Sequence, residues 1–424
     1  MSKINYNKKQ QQVIDASEDN IVITAPPGSG KTAALVGAIE HYYGLHPMDK
    51  IVAITFTRKA AAELQNRVSA LNTEISTIHS WSYRQLQRLA GEYGFVIQLL
   101  DDNNIKEVLN RICLKRKQLY LNQFQLFSFV MGNFNVDVDE KIKHVFEAIR
   151  QEYVKFKRKN GLYDFTDLPT YLYDVMTQYD EHIVDIDALF VDEFQDVDPV
   201  QLSIFDLVDA KKKVYIGDRK QSIYIFRGAS EAAFDNLVNF TDYNLDTNYR
   251  SYQEIIDYAD THNYYANSAI VSNNEYDFTS FYGDEMTELF QPSKIICERG
   301  HGGKVYCIPE LGMCYDVFGS KILSEVVVVK QLMQEKGTQI LCRTNRQVKK
   351  IQSYGIDNVS TIHQAKGLEY DNVIMTDFVI DTEEEKNIAY VGMTRAKNVL
   401  CTIRFDILCY IICKEKIESN KKLF

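Results

Sequence analysis

The chain has 424 residues, 45% of them hydrophobic and 25% charged, with a formal net charge of −10 and eight cysteines. That length and composition call for two or three domains with substantial apolar cores. They exclude a membrane span, because no apolar run approaches the ~18 residues needed. No secretory signal is expected either, because "MSKINYNKKQQQVIDAS" has no apolar core, and a cytoplasmic protein is expected.

The acidic total argues against a general nucleic-acid binder, yet it leaves room for a local basic cleft. The runs "LKRK" (114–117) and "VKFKRKNG" (154–161) are candidates for such a cleft and equally for solvated helix faces. The cysteines are scattered and include no C-x2-C pair, so neither a disulfide framework nor a zinc site is expected, Cys297, His301, Cys307 and Cys314 included.

Along the chain, short apolar runs alternate with helical patterns. "NIVITA" reads as a strand, and Gly28-Ser29-Gly30-Lys31-Thr32 follows it and opens a helix. That is the setting of a phosphate-binding loop, in which backbone N–H groups and the positive helix end meet phosphate oxygens. Lys31 would neutralise the terminal phosphates and the Thr32 hydroxyl would bind magnesium. Ala25 stands where the full loop signature has glycine.

"KIVAITFT" and "RKAAAELQNRV" form the next strand and helix. Residues 89 to 160 are rich in helix formers and read as a helical insertion. "ALFVDEFQD" is an apolar strand ending in two acids, where Asp192 would hold magnesium and Glu193 would orient and deprotonate a water. "KKVYIGD" follows, and then "GDRKQSIYIFRGA", which offers Gln221 and Arg227 as γ-phosphate sensors. "LDTNYRS" and "NIAYVGMTRAK" each deliver one arginine, Arg250 and Arg395.

After residue 300 a second strand set appears: "GKVYCIP", "TQILCRT", "DNVIMTDF" and "NVLCTIRF". Strands alternating with helices imply parallel sheets covered on both faces, here as two α/β units meeting near residue 246. Aromatic and hydroxyl residues are interleaved with these segments: Phe56 and Thr57, His79 and Trp81, Tyr224 and Phe226, Thr361 and His363. Such side chains are core material or stacking platforms for unpaired bases.

The motifs, in this order, resemble those of superfamily 1 helicases of the UvrD/Rep type. "YNKKQQQVI" resembles the adenine-reading Q motif and "APPGSGKT" motif I, whose family form often begins with alanine. "ITFTRKAAAEL" resembles motif Ia, "STIHSWSY" motif Ib and "VDEFQD" motif II. "GDRKQSIYIFRGA" resembles motif III, "NYRS" motif IV, "TIHQAKGLEYDNVI" motif V and "AYVGMTRAK" motif VI. "YDFTDL" resembles a segment that precedes motif II.

The resemblance implies two RecA-like motor domains, at 1–88 with 163–245 and at 246–424, and a helical insertion at 89–162. It implies ATP and Mg2+ as cofactors, and 3′–5′ movement on single-stranded DNA up to ss/ds junctions. Lys31, Glu193, Gln221, Arg250 and Arg395 would carry hydrolysis, with Thr32 and Asp192 on the metal. Gln10, Gly28, Ser29, Gly30, Ala33, Tyr249 and Glu369 would hold the nucleotide. Phe56, Thr57, His79, Tyr224, Phe226, Arg227, Thr361 and His363 would line the DNA track.

The chain departs from the family in three ways. Ala33 stands where an adenine-stacking arginine is usual, and Phe226 stands where tryptophan is common. The family's large insertion before motif V is missing between "ILCRTNRQVKK" and "STIHQAKGLE". That last departure raises the alternative of a translocase that strips proteins from single strands and unwinds little.

Overall fold

The structure is a computed structural model and describes residues 5–132, 140–179, 184–223, 232–264, 295–310, 313–319, 321–377 and 382–421. Six strands form the first sheet: β1 (Asn20–Thr24), β2 (Ile51–Thr55), β3 (Thr73–Thr77), β4 (Ala188–Val191), β5 (Lys212–Gly217) and β6 (Thr241–Asn244). Their order is β3-β2-β4-β5-β1-β6 and every pairing is parallel.

Helices cover both faces, and the alternation of side chains along each strand divides the apolar residues between two cores. Val22, Val52, Ile54, Leu189, Val191 and Tyr215 face one core. Ile21, Ile23, Ala53, Phe190, Val214 and Ile216 face the other. Trp81 is completely buried in the first core, so it is packing material and not part of a stacking surface.

Between β3 and β4 the chain leaves the sheet. The helix Ile78–Tyr93 returns Leu86 and Leu89 to the first core. The helices Asp102–Lys115, Gln123–Val130 and Glu140–Asn160 then pack around a core of their own, with Ile105, Leu109, Leu126, Phe146 and Ile149 at its centre.

A short parallel pair, β7 (Thr247–Asn248) and β8 (Ile296–Cys297), precedes the second sheet. That sheet holds β9 (Lys304–Glu310), β10 (Met313–Asp316), β11 (Lys321–Leu323), β12 (Thr338–Cys342), β13 (Val359–Thr361), β14 (Tyr370–Thr376) and β15 (Ala396–Ile403). The order is β11-β10-β9-β15-β14-β12-β13. The strands β9, β15, β14, β12 and β13 are parallel, and β10 and β11 add an antiparallel edge. A single helix, Asn345–Gln352, joins β12 to β13.

The segment "ILCYIIC" lies in the helix Phe405–Lys421 and buries Ile407, Leu408, Ile411 and Ile412. No helix among the described residues is long and apolar enough to cross a membrane.

Candidate nucleotide site and single-strand face

The loop after β1 is shaped by two glycines in the left-handed region, Gly28 at φ +68° and Gly30 at φ +77°. A Cβ on Gly28 would lie 2.7 Å from Arg250 Cβ, and one on Gly30 would lie 2.7 Å from Gln10 Nε2. Glycine is therefore demanded twice over, by conformation and by the closeness of two other segments.

Those segments hold the loop from outside. Gln10 Nε2 donates to the Ser29 carbonyl at 2.9 Å. Asn248 Nδ2 donates to the Pro27 carbonyl at 2.6 Å, and the Tyr249 amide donates to the Gly28 carbonyl at 2.8 Å. Gly30 ends the loop and the helix Lys31–Leu45 begins, so its free N–H groups point at the loop. Ser29 Oγ is buried and has no hydrogen-bond partner among the described residues, a donor fitted to a phosphate oxygen. Thr32 and Ala33 stand half-buried in the helix's first turn.

Asn248 is fully buried, and its Oδ1 also accepts from the Arg250 and Ser251 amides at 2.8 Å each. Asn248→Ala takes this partner from three backbone groups, two of them buried at about 1–3 kcal/mol each. A lower melting temperature is expected, as checked by calorimetry.

Two acids follow β4. Glu193 has φ 52° and ψ 44°, an uncommon backbone state for a non-glycine residue and one that concentrates at functional sites. Burial and the neighbouring Glu193 charge push Asp192 up to about 7. Burial also pushes Glu193 up, but Lys31, Lys366 and Gln195 outweigh it and hold Glu193 down at about 2. A buried carboxylate that ionises reluctantly beside a second one fits a cation ligand. Lys31 Nζ lies 3.5 Å from Glu193 Oε2.

A relay of hydrogen bonds leads away from Glu193. The Gln195 amide donates to the Glu193 carboxylate, and Gln195 Oε1 accepts from the Asp218 amide at 2.9 Å. Gln221 Nε2 donates to Asp218 Oδ2 at 2.8 Å, and Arg395 Nη2 donates to Gln221 Oε1 at 3.3 Å. The relay thus joins the acid after β4 to an arginine at the start of β15, across the two sheets.

Arg395 is 2% exposed and is aimed by its bonds to the Val391 and Leu368 carbonyls. Burial, and next the charge of Arg250, push its guanidinium down to about 9. Two cations held together in a buried cleft fit an anion between them. Arg250 donates Nε to Glu369 Oε2 at 2.9 Å and Nη1 to the Thr394 carbonyl at 3.3 Å. Glu369 also pairs with Lys397 at 2.9 Å, so its carboxylate is engaged by two cations. The Tyr249 ring is 39% exposed, and its hydroxyl accepts from Asn7 Nδ2 at 2.7 Å, beside the capping box formed by Asn7 and Gln10.

A second cross-sheet tie joins Lys366 Nζ to Asp196 Oδ2 at 2.5 Å and to the Gln221 carbonyl at 2.9 Å. Sequence reasoning missed Gln195, Asp196, Asp218, Asn248 and Lys366. Each lies inside a quoted motif, but motif membership alone does not separate network from neighbour.

Of the residues expected on a DNA track, Phe56, Thr57, His79, Thr361 and His363 lie at or just after the C-terminal ends of parallel strands, the edge where α/β sheets bind ligands. Phe56 and Thr57 follow β2, with the Thr57 hydroxyl capping the helix Arg58–Arg67. His79 follows β3 and stacks on Phe165 at 5.4 Å and 16°. The Arg58 guanidinium lies 5.9 Å from the Phe165 ring centre.

Thr361 ends β13. It is buried, and its hydroxyl caps the helix Ile362–Ala365. Burial, and then the Arg343 charge, push His363 down to about 4. Tyr224, Phe226 and Arg227 lie outside the described residues. Phe165, also missed, is 38% exposed and lies within "YDFTDL".

The His363 shift sets a pH dependence. Its folded value lies below the ordinary imidazole value, so the unfolded chain takes up a proton first as pH falls. This contribution to stability is complete above about 6.5 and is lost between there and about 4. His363→Asn is expected to flatten the fall in melting temperature over that window, as checked by calorimetry at stepped pH.

Two parallel α/β units around a glycine loop, with arginines from the second unit beside it, define a protein of the P-loop nucleotide-binding class. The comparisons narrow the class. The model of the UvrD/REP helicase N-terminal domain matches residues 6–242, and that of the UvrD-like helicase C-terminal domain matches residues 355–406. The first match spans more than half of the chain, and the chain belongs to the UvrD/REP helicase family.

Relatives include the ATP-dependent DNA helicase PcrA of Leuconostoc citreum, 30% identical over 63% of this chain and 39% of that protein. DNA helicase II of Escherichia coli strain K12 is 27% identical over 63% and 40%. The ATP-dependent DNA helicase Rep of Buchnera aphidicola is 29% identical over 63% and 43%. The matched part of the chain thus spans about two fifths of the length of these relatives.

Proposed function

We propose that this chain is an ATP-dependent DNA motor that hydrolyses ATP between two RecA-like domains and moves 3′ to 5′ on single-stranded DNA up to ss/ds junctions, in the cytoplasm. Residues 1–88 and 163–245 form the first domain, 89–162 its helical insertion and 246–424 the second domain.

The observation that carries this reading is the relay from Glu193 through Gln195, Asp218 and Gln221 to Arg395, which makes the acid and the arginine answer to each other across the cleft. Lys31, Arg250 and Arg395 neutralise the terminal phosphates, and Glu193 orients the attacking water and accepts its proton. Gln221, bonded to both sides, reports the state of the outer phosphate to the second domain. Gln10, Ser29, Tyr249 and Glu369 hold the rest of the nucleotide. Thr32 and Asp192 would hold Mg2+, which would supply charge neutralisation at the phosphates. Thr57, His79 and His363, with Phe56, Tyr224, Phe226, Arg227 and Thr361, form the track for unpaired bases.

The deciding experiment is strand displacement by the purified chain on 3′-tailed and 5′-tailed duplexes with ATP. Unwinding of the 3′-tailed duplex alone is expected, and preference for the 5′ tail would contradict the polarity.

A second reading is a translocase that displaces bound proteins with little unwinding. The single helix between β12 and β13, where the family resemblance implies a large insertion, favours it. It gains if single strands stimulate ATP hydrolysis while neither duplex is opened.

A further inference from the structure

The basic run 154–161 contains one lysine that is not on the surface. Lys157, on the long helix Glu140–Asn160, has a side chain only 7% exposed. Its Nζ donates to Asp164 Oδ2 at 2.6 Å and to Asp167 Oδ2 at 2.5 Å. One turn earlier Tyr153, itself buried, donates its hydroxyl to the same Asp164 oxygen at 2.9 Å, and Lys157 Nζ lies 4.9 Å from the centre of that ring.

The two acids are the ends of one small structure. Asp164 Oδ1 accepts from the Thr166 amide at 2.9 Å and the Thr166 hydroxyl at 2.6 Å, while Asp167 Oδ2 accepts from the Asp164 amide at 2.8 Å. They form the capping box of the 3-10 turn Phe165–Asp167, and Lys157 ties both carboxylates to the insertion's longest helix. Without that cation, two carboxylate oxygens now meeting at one nitrogen would face each other, and the turn would open.

The turn carries Phe165, whose half-exposed ring stacks on His79 and lies under Arg58. Buried ion pairs are poor devices for stability alone, since well-packed apolar groups often serve as well, but they do fix geometry. The cluster sits where the insertion rejoins the first sheet, next to a ring pair on the ligand-binding edge.

We propose that Lys157 is a positioning residue of the single-strand track: by locking the turn Phe165–Asp167 it sets the angle at which Phe165 meets His79, and with it the stacking surface offered to an unpaired nucleobase. The inference rests on the DNA reading above.

The test is ATP hydrolysis by the full chain titrated with oligo(dT), for wild type, Lys157→Met, Asp167→Asn, Phe165→Ala and the double variant Lys157→Met/Phe165→Ala, with melting temperatures measured alongside. Lys157→Met is expected to raise the half-saturating oligo(dT) about tenfold, the size of a lost base stack. Its rates without DNA and at saturation are expected to stay within about twofold of wild type.

Asp167→Asn preserves shape and removes the charge; it is expected to shift half-saturation the same way by about threefold, and it carries the test if Lys157→Met does not fold. Adding Lys157→Met to Phe165→Ala is expected to change nothing further.

Unchanged half-saturation in a folded variant, an equal loss of basal and saturated rates, or additivity with Phe165→Ala would overturn the positioning role alone. A wild-type chain indifferent to oligo(dT) would overturn the DNA reading and this role with it.

Discussion

Replacing Glu193 by glutamine is expected to lower ATP turnover about 10²–10⁴-fold while single-strand binding in the presence of ATP persists. The carboxylate stands on a left-handed residue, faces Lys31 at 3.5 Å and accepts from Gln195, so it is both aimed and kept ionised. Glutamine keeps the shape and can still meet Gln195 through its carbonyl, but it cannot take a proton from water. The readout is phosphate release in a single-turnover assay beside fluorescence anisotropy of labelled oligo(dT). Lys31→Ala is expected to abolish turnover likewise and to weaken ATP binding as well, since in the proposed site that ammonium would meet the phosphates in the ground state as well as in the transition state. Loss of strand binding in both variants would contradict the assigned roles.

The second large effect is expected at Arg395. Arg395→Ala should slow hydrolysis about 10³–10⁵-fold, the range for an arginine delivered to a transferring phosphoryl group. The side chain is buried, bonded to Gln221 and braced by two backbone carbonyls, and Arg250 stands close enough to depress its basicity. An anion between the two guanidinium groups would relieve that repulsion. Arg395→Lys separates charge from geometry. Lysine keeps one positive charge but cannot reach Gln221, Val391 and Leu368 together, so it is expected to restore less than a tenth of the lost rate. Nucleotide exchange kinetics with a fluorescent ADP analogue check that the alanine variant still binds product.

Much of the site was legible because its chemistry is local. A strand, a glycine loop and a helix over residues 20–45 can be read directly, since only glycine tolerates φ near +70° and a foreign side chain at 2.7 Å. The apolar runs of the parallel strands were equally plain, because strands covered on both faces are apolar throughout.

What escaped was long-range. Asn248 and Lys366 each reach a partner more than a hundred residues away, which membership in a local motif does not reveal. Lys157 was hidden by its company: in "VKFKRKNG" four cations look alike, and only the fold shows that one of them turns inward to Asp164 and Asp167. Trp81 was left open between core and stacking surface by its sequence, and the helix Ile78–Tyr93 turns it into the core. The antiparallel edge of β10 and β11 gave little signal, since β11 is three residues long and its neighbour four.

In the proposed reading each domain would contribute an incomplete catalyst: Lys31, Glu193 and Gln221 on one side, Arg250 and Arg395 on the other. Phosphate release by the purified wild-type chain with ATP and Mg2+, with and without oligo(dT), tests their union most directly. Slow release alone and acceleration of about tenfold or more with the strand are predicted, because in the proposed motor strand binding across both sheets would bring the arginines to the phosphate. Release that is absent under both conditions, or present and indifferent to the strand, would contradict a motor built from these two halves.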